Sequence, residues 1–131
     1  SEAAGGATLL ANIRSGHLWG SRPDPAVLLA HLAGHPVEPP PADWDVGHYV
    51  NLVTTVRGAV GSLLIVRDSY RSLGWNGYHA QPPEAVAAAL LRGDGREGGV
   101  LCICRPEDEK SLRAKLQGGY ELRHWNNGTP S

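Results

Sequence analysis

The chain has 131 residues, 41% of them hydrophobic and 19% charged, with a formal net charge of −1. That length suits one domain over residues 1–131 with a modest core, and is short for two. The balanced charge and the lack of any Lys/Arg cluster argue against nucleic acid or an anionic membrane as partner, and no apolar stretch approaches a membrane span.

No charged-then-apolar signal segment opens the chain. Cys102 and Cys104 stand one residue apart in an apolar run. Strand alternation points both to one face, too close in sequence for an ordinary disulfide. Packing as reduced thiols in the core, in a cytoplasmic setting, is the expectation. The sequence has no Met, and residues 7–13 already read as structure after a short Gly/Ala lead. A starting Met could have been trimmed, but the abrupt structured start suits a piece of a longer protein.

In chain order, 7–13 (Ala-Thr-Leu-Leu-Ala-Asn-Ile) predicts a short buried strand ending at the polar turn Arg14-Ser15-Gly16. Pro23-Asp24-Pro25 precedes a helix of about two turns, starting near Asp24 and stopped by Gly34. Pro36 and the run Pro39-Pro40-Pro41 predict a stiff extended connection. Residues 48–57 and 62–68 are β-branched and alternating, and the turn 58–61 (Gly-Ala-Val-Gly) makes them a hairpin. The stretch 69–79 is too rich in Gly and aromatics for regular structure. Pro82-Pro83 opens an Ala-rich helix to about Arg92. A Gly-rich run then leads to a strand over 99–104, Pro106 and Glu107 start a short helix to Leu116, and 120–125 suits a final strand. The pattern is α+β: a small antiparallel sheet with packed helices.

The hairpin carries the chemistry. Pairing Val56 with Ser62 sets His48 opposite Tyr70 and makes Asp68 its diagonal neighbour on the same face, about 7–8 Å away between Cβ atoms. A shift of one residue would turn Asp68 to the other face. An imidazole held by a carboxylate at the edge of an apolar face is oriented to act as a base toward a thiol or a water. A strand cap at His48 and a chain-turning Asp68 are the plainer alternative.

The stretch Asp45-Val46-Gly47-His48-Tyr49-Val50-Asn51-Leu52-Val53, a Gly-bearing turn, and then Leu64-Ile65-Val66-Arg67-Asp68-Ser69-Tyr70 resembles the second half of bacterial C39-like cysteine peptidases. The likeness covers about residues 44–92. It implies the β-sheet half of a papain-like fold, with His48 as general base and acid and Asp68 as its orienting carboxylate. Two departures stand out. Ser69 follows Asp68 where the family often has Pro, and no Cys precedes residue 102, although the family's nucleophilic thiolate comes well before its histidine. Three explanations fit the missing Cys: a removed or separate N-terminal half, a pseudoenzyme that keeps the cleft for binding, or another nucleophile. The first is preferred.

Trp19, Trp44, Trp75 and Tyr78 fall in Gly-rich stretches. Such aromatics either line a cleft or close the core of a domain without Phe or Met. Trp44, Asp45, Trp75 and Tyr78 are the substrate-binding candidates. Asp45, His48, Asp68 and His79 offer metal donors, but Asp43-x-Asp45-x-x-His48 is no specific metal spacing. Neither metal nor cofactor is expected. The remaining histidines, His17, His31, His35 and His124, suit structural or solvated positions, and the run 93–99 lacks the residues of a phosphate loop. The expected function is a cysteine-peptidase-like hydrolase or acyl-transfer module completed by a Cys-bearing segment. Its partners would be a peptide or small-molecule substrate and an N-terminal half or second polypeptide. The competing class is a non-catalytic binding module for a peptide or small molecule.

Overall fold

A computed structural model describes residues 7–96 and 98–117. Its elements in chain order are β1 (Thr8–Arg14), α1 (Pro25–Leu32), β2 (Gly47–Arg57), β3 (Ser62–Asp68), β4 (Tyr78–Gln81), α2 (Pro83–Leu91), β5 (Gly99–Ile103) and α3 (Glu109–Leu116). All neighbouring strands are antiparallel, in the order β4-β3-β2-β1-β5. The α+β expectation holds. The strand expected over 120–125 lies outside the described residues.

Local sequence sets the helix ends. Asp24 caps α1 by accepting from the Ala26 amide at 2.9 Å, and Pro25 takes the first helical position, where no donor is lost. Pro83 opens α2 in the same way. That helix ends in a γ-turn at Arg92, with φ 65° and ψ −60°, closed by Gly93 N donating to Leu91 O at 2.8 Å. This backbone is costly for a side-chain-bearing residue. The Arg92 guanidinium offsets it with bonds to Asn12 Oδ1 at 2.6 Å and to both Asp94 oxygens at 2.7 and 3.1 Å.

Because β4 and β5 are opposite edges, α2 runs across the sheet between them. It packs on β1 and β3, and Ala89 joins Ala11, Ile13, Val50 and Val66 in the buried core. The register lines up Leu9, Ala11 and Ile13 of β1 with Leu52, Val50 and His48 of β2. His48 thus sits at the end of the core-facing row.

The hairpin register departs from the expectation at its turn. Arg57, not Val56, pairs with Ser62, and the offset continues to Thr54 with Ile65. A bulge between Leu52 and Thr54 then removes it, so that Leu52 pairs with Val66 and Val50 with Asp68. A second departure is β4. Tyr78 and His79, expected to be irregular, pair with Arg67 and Val66. The inward residues there are the buried polar His79 and Gln81, so no apolar alternation marks the strand. The two cysteines are half-buried and free, outside the core rather than in it.

The hairpin turn leans on the end of α1. Val60 N and Gly61 N both donate to Leu32 O, at 3.1 and 3.0 Å, and His31 Nε2 bonds Ser62 O at 2.9 Å. A Cβ at Gly58 would fall on the Leu32 backbone, and one at Gly61 on the His31 carbonyl. We therefore expect Gly58→Ala and Gly61→Ala each to lower stability by roughly 1–3 kcal/mol. A urea unfolding midpoint unchanged by both would contradict this packing.

Candidate functional site

The register brings His48 and Asp68 together. His48 Nε2 lies 2.9 Å from Asp68 Oδ1, and the Tyr70 amide donates to the same oxygen at 3.0 Å. A carboxylate only accepts, so Nε2 carries the proton and the neutral ring keeps its lone pair on Nδ1. Among the described residues, no hydrogen-bond partner occupies that Nδ1. Asp68 is nearly sealed, with 2% side-chain exposure, whereas His48 keeps 11%. The carboxylate is thus inside and the imidazole partly exposed. That arrangement lets the ring reach a reactant while its partner stays dry.

Two rings close around the imidazole. Trp44 meets His48 edge-on at 5.0 Å between centroids, Tyr70 lies at 5.6 Å, and Trp44 meets Tyr70 at 5.2 Å. Trp44 is held by its backbone. Ser15 Oγ donates to Trp44 O at 3.1 Å and accepts from Val46 N at 2.8 Å, while Ser15 N donates to Val46 O. One buried hydroxyl therefore ties the end of β1 to the loop that carries the tryptophan.

Asp45 is exposed and already partnered. Arg14 Nε donates to its Oδ1 at 2.7 Å, and this guanidinium holds the carboxyl below the usual carboxylate range. Arg14 also reaches Asp94 at 3.2 Å. Asp94 is held far below that range, first by Arg92. Trp44 and Asp45 line an open cavity of about 360 Å³ together with Gly16, His17 and Ala42. That cavity shares Trp44 with the His48 site without including His48 itself.

Two expected wall residues are elsewhere. Trp75 and Tyr78 pair with each other through their backbones, at 2.8 and 3.1 Å, and neither lines the cavity. Tyr78 stands opposite Arg67, whose guanidinium lies 5.5 Å from its ring. Arg67 and Asp68 are consecutive in a strand and point to opposite faces, which puts Tyr78 on the wrong face for the site. Trp19 is buried and closes the core beside His31, 5.4 Å away. Cys102 pairs with Leu9, four residues along β1 from the partner of His48, roughly 13 Å. Burial pushes its thiol pKa up, and Cys104 adds to this. Neither cysteine attends His48.

Behind Asp68 stands His79, which the sequence offered only as a metal donor. Its side chain is 3% exposed, and Nε2 lies 3.7 Å from Asp68 Oδ2, beyond hydrogen-bond distance. Burial pushes the His79 pKa down, against the raising effect of Asp68, so the ring is neutral. Among the described residues no group of three or more His, Cys, Asp or Glu is arranged to hold a metal ion, and no helix is long and apolar enough to cross a membrane.

The titration of His79 has a signed consequence. Its folded pKa lies below the ordinary value of about 6.5, so the unfolded chain binds more protons just below that pH. Its contribution to stability is present above about pH 6.5 and is lost as pH falls through the folded pKa. Asp45 and Asp94 act in the same direction at lower pH, where carboxylates protonate. Urea unfolding at a series of pH values should show stability falling from about pH 6.5 downward in the wild type, with a shallower fall in His79→Gln. Identical slopes in the two proteins would contradict a buried neutral His79.

The chain belongs to the DUF6885 family, described as a family of unknown function, whose model matches residues 2–126. No curated protein and no solved structure matches it.

Proposed function

We propose that this DUF6885 chain carries the base-bearing half of a thiol hydrolase or acyl-transfer site, in a fold similar to the sheet half of papain-like cysteine peptidases. The observation that carries the reading is the hydrogen bond from His48 Nε2 to the sealed Asp68 carboxylate, which leaves Nδ1 without a partner among the described residues on a ring that keeps some exposure. A thiol from a segment outside this sequence would give its proton to Nδ1 and attack an acyl carbon as thiolate. The imidazolium would then protonate the leaving group, and Asp68 would hold the ring in register throughout. Trp44 and Tyr70 would flank the reacting centre, and the cavity beside Trp44 and Asp45 would take part of a peptide or small-molecule substrate. The free cysteines suit a reducing, cytoplasmic setting.

One observation favours a second reading. Both cysteines are remote from His48, while the cavity of about 360 Å³ is present in this chain alone. A binding module that uses His48 as a recognition group would have both features.

Alkylation separates the two. The gene product, isolated whole from its own cells, is treated with iodoacetamide at about pH 6, where an ordinary thiol is slow. The catalytic reading predicts one fast-reacting cysteine, with His48→Ala slowing it by about 100-fold or more. No fast-reacting cysteine, or one indifferent to His48→Ala, would overturn that reading in favour of the binding module.

A further inference from the structure

His79 is the one buried side-chain nitrogen among the described residues whose Nε2 finds no hydrogen-bond partner. An unmade bond this deep is costly, so its direction carries information. The surrounding bonds fix that direction without ambiguity. The Trp19 amide can only donate, and it donates to Gln81 Oε1 at 2.8 Å. The Gln81 amide is thereby oriented, and its Nε2 donates to Trp19 O at 2.9 Å and to His79 Nδ1 at 3.0 Å. Gln81 is fully buried, its Oε1 accepts and both of its N–H donors are engaged. His79 Nδ1 is therefore an acceptor, and the ring proton sits on Nε2, facing Asp68 Oδ2 at 3.7 Å.

The two carboxylate oxygens are unequally served. Oδ1 accepts from His48 Nε2 and Tyr70 N, whereas Oδ2 is faced by His79 Nε2 at 3.7 Å. The titratable groups acting on His79 are Asp68 on β3, Asp43 in the connection before β2, and His48 on β2.

We propose that His79 is a positioning residue of the His48–Asp68 pair. Held as the Nε2–H tautomer by Gln81, it presents the donor that faces Asp68 Oδ2 and keeps Oδ1 turned toward His48. The proposal rests on His48 and Asp68 being the working pair. Its consequence is that the tautomer of the partly exposed His48 is set by the buried Gln81 amide, further along β4. Without the His79 donor, the Tyr70 amide alone orients the carboxylate from its own side, and the acceptor that keeps the His48 proton on Nε2 is less firmly placed.

The test is ¹⁵N NMR of the histidine rings of this chain at about pH 8, above the ordinary imidazole range. In the wild type both His48 and His79 should carry the proton on Nε2. His79→Phe keeps the ring volume and removes the donor, and it should turn His48 into a mixture of tautomers. His79→Gln puts an amide N–H near the place of the imidazole Nε2, and it should retain the wild-type His48 tautomer. A folded His79→Phe protein whose His48 stays wholly Nε2–H would overturn the proposal. If His79→Phe does not fold, the other two proteins decide: Nδ1–H at His79 in the wild type, or mixed tautomers at His48 in His79→Gln, would overturn it equally. In the complete gene product, His79→Phe should slow alkylation of the fast cysteine by about 10-fold and His79→Gln by less than about twofold. Absence of any fast cysteine would defeat the catalytic reading and leave the tautomer result standing, so the two failures are distinguishable.

Discussion

The one-residue bulge between Leu52 and Thr54 is the constraint on which the site depends. From the turn to Thr54 the hairpin pairs in one register, and from Leu52 onward in another. Continued without the bulge, the first register would set Asp68 opposite Asn51, one residue from its actual partner Val50. A one-residue slip turns every side chain beyond it to the other face. Asp68 and Val66 would then share a face with Asn51 and Val53, and His48 and Val50 would point to the other side. The bulge thus lets two demands coexist. Near the turn, Gly58 and Gly61 must meet the end of α1; at the other end, a carboxylate must meet an imidazole.

The second feature that organises the fold is polar. The hydrophobic core is made of small and medium side chains, with Ala11, Ala89, Val50, Val66 and Ile13 at its centre. Gln81 and Asn12 are among the largest fully buried side chains, beside Ile13 and Val66. Polar groups at such depth are tolerated because their bonds are made: Gln81 to Trp19 and His79, Asn12 to Arg92. In a low-dielectric interior such networks fix one arrangement, since any other strands a donor or an acceptor. The same logic governs the surface loop carrying Trp44. Ser15 holds its backbone, and Arg14 links Asp45 to Asp94 and so to Arg92 at the end of α2. The site is therefore tied to the sheet on one side and to both polar networks on the other.

Much of this was legible in the sequence, for physical reasons that can be named. Proline and capping residues marked α1 and α2 to within a residue or two, because Pro25 and Pro83 have few other places to go, while Pro106 opens a 3-10 turn three residues ahead of α3. The β-branched hairpin and the meeting of His48 with Asp68 followed from alternation and a Gly-bounded turn. The bulge did not, since nothing in Leu52-Val53-Thr54 signals an extra residue. The error at Val56 and the bulge offset one another at the site. Strand β4 was hidden because its inward positions hold His79 and Gln81, which satisfy each other and leave no apolar stripe. Trp75 and Tyr78 were assigned to the site by their loop setting, when the face of Tyr78 was decided by its pairing with Arg67. Tyr70, opposite His48 in the expected register, was the overlooked wall of the site.

The central claim is that His48 and Asp68 interact directly in the folded chain. A double-mutant cycle on folding stability measures that interaction, using His48→Ala, Asp68→Ala and the double variant in urea at about pH 7. The account predicts a coupling energy of about 1–3 kcal/mol, because the hydrogen bond is 2.9 Å long and its acceptor is sealed from water. Additivity of the two single effects within about 0.3 kcal/mol would contradict it.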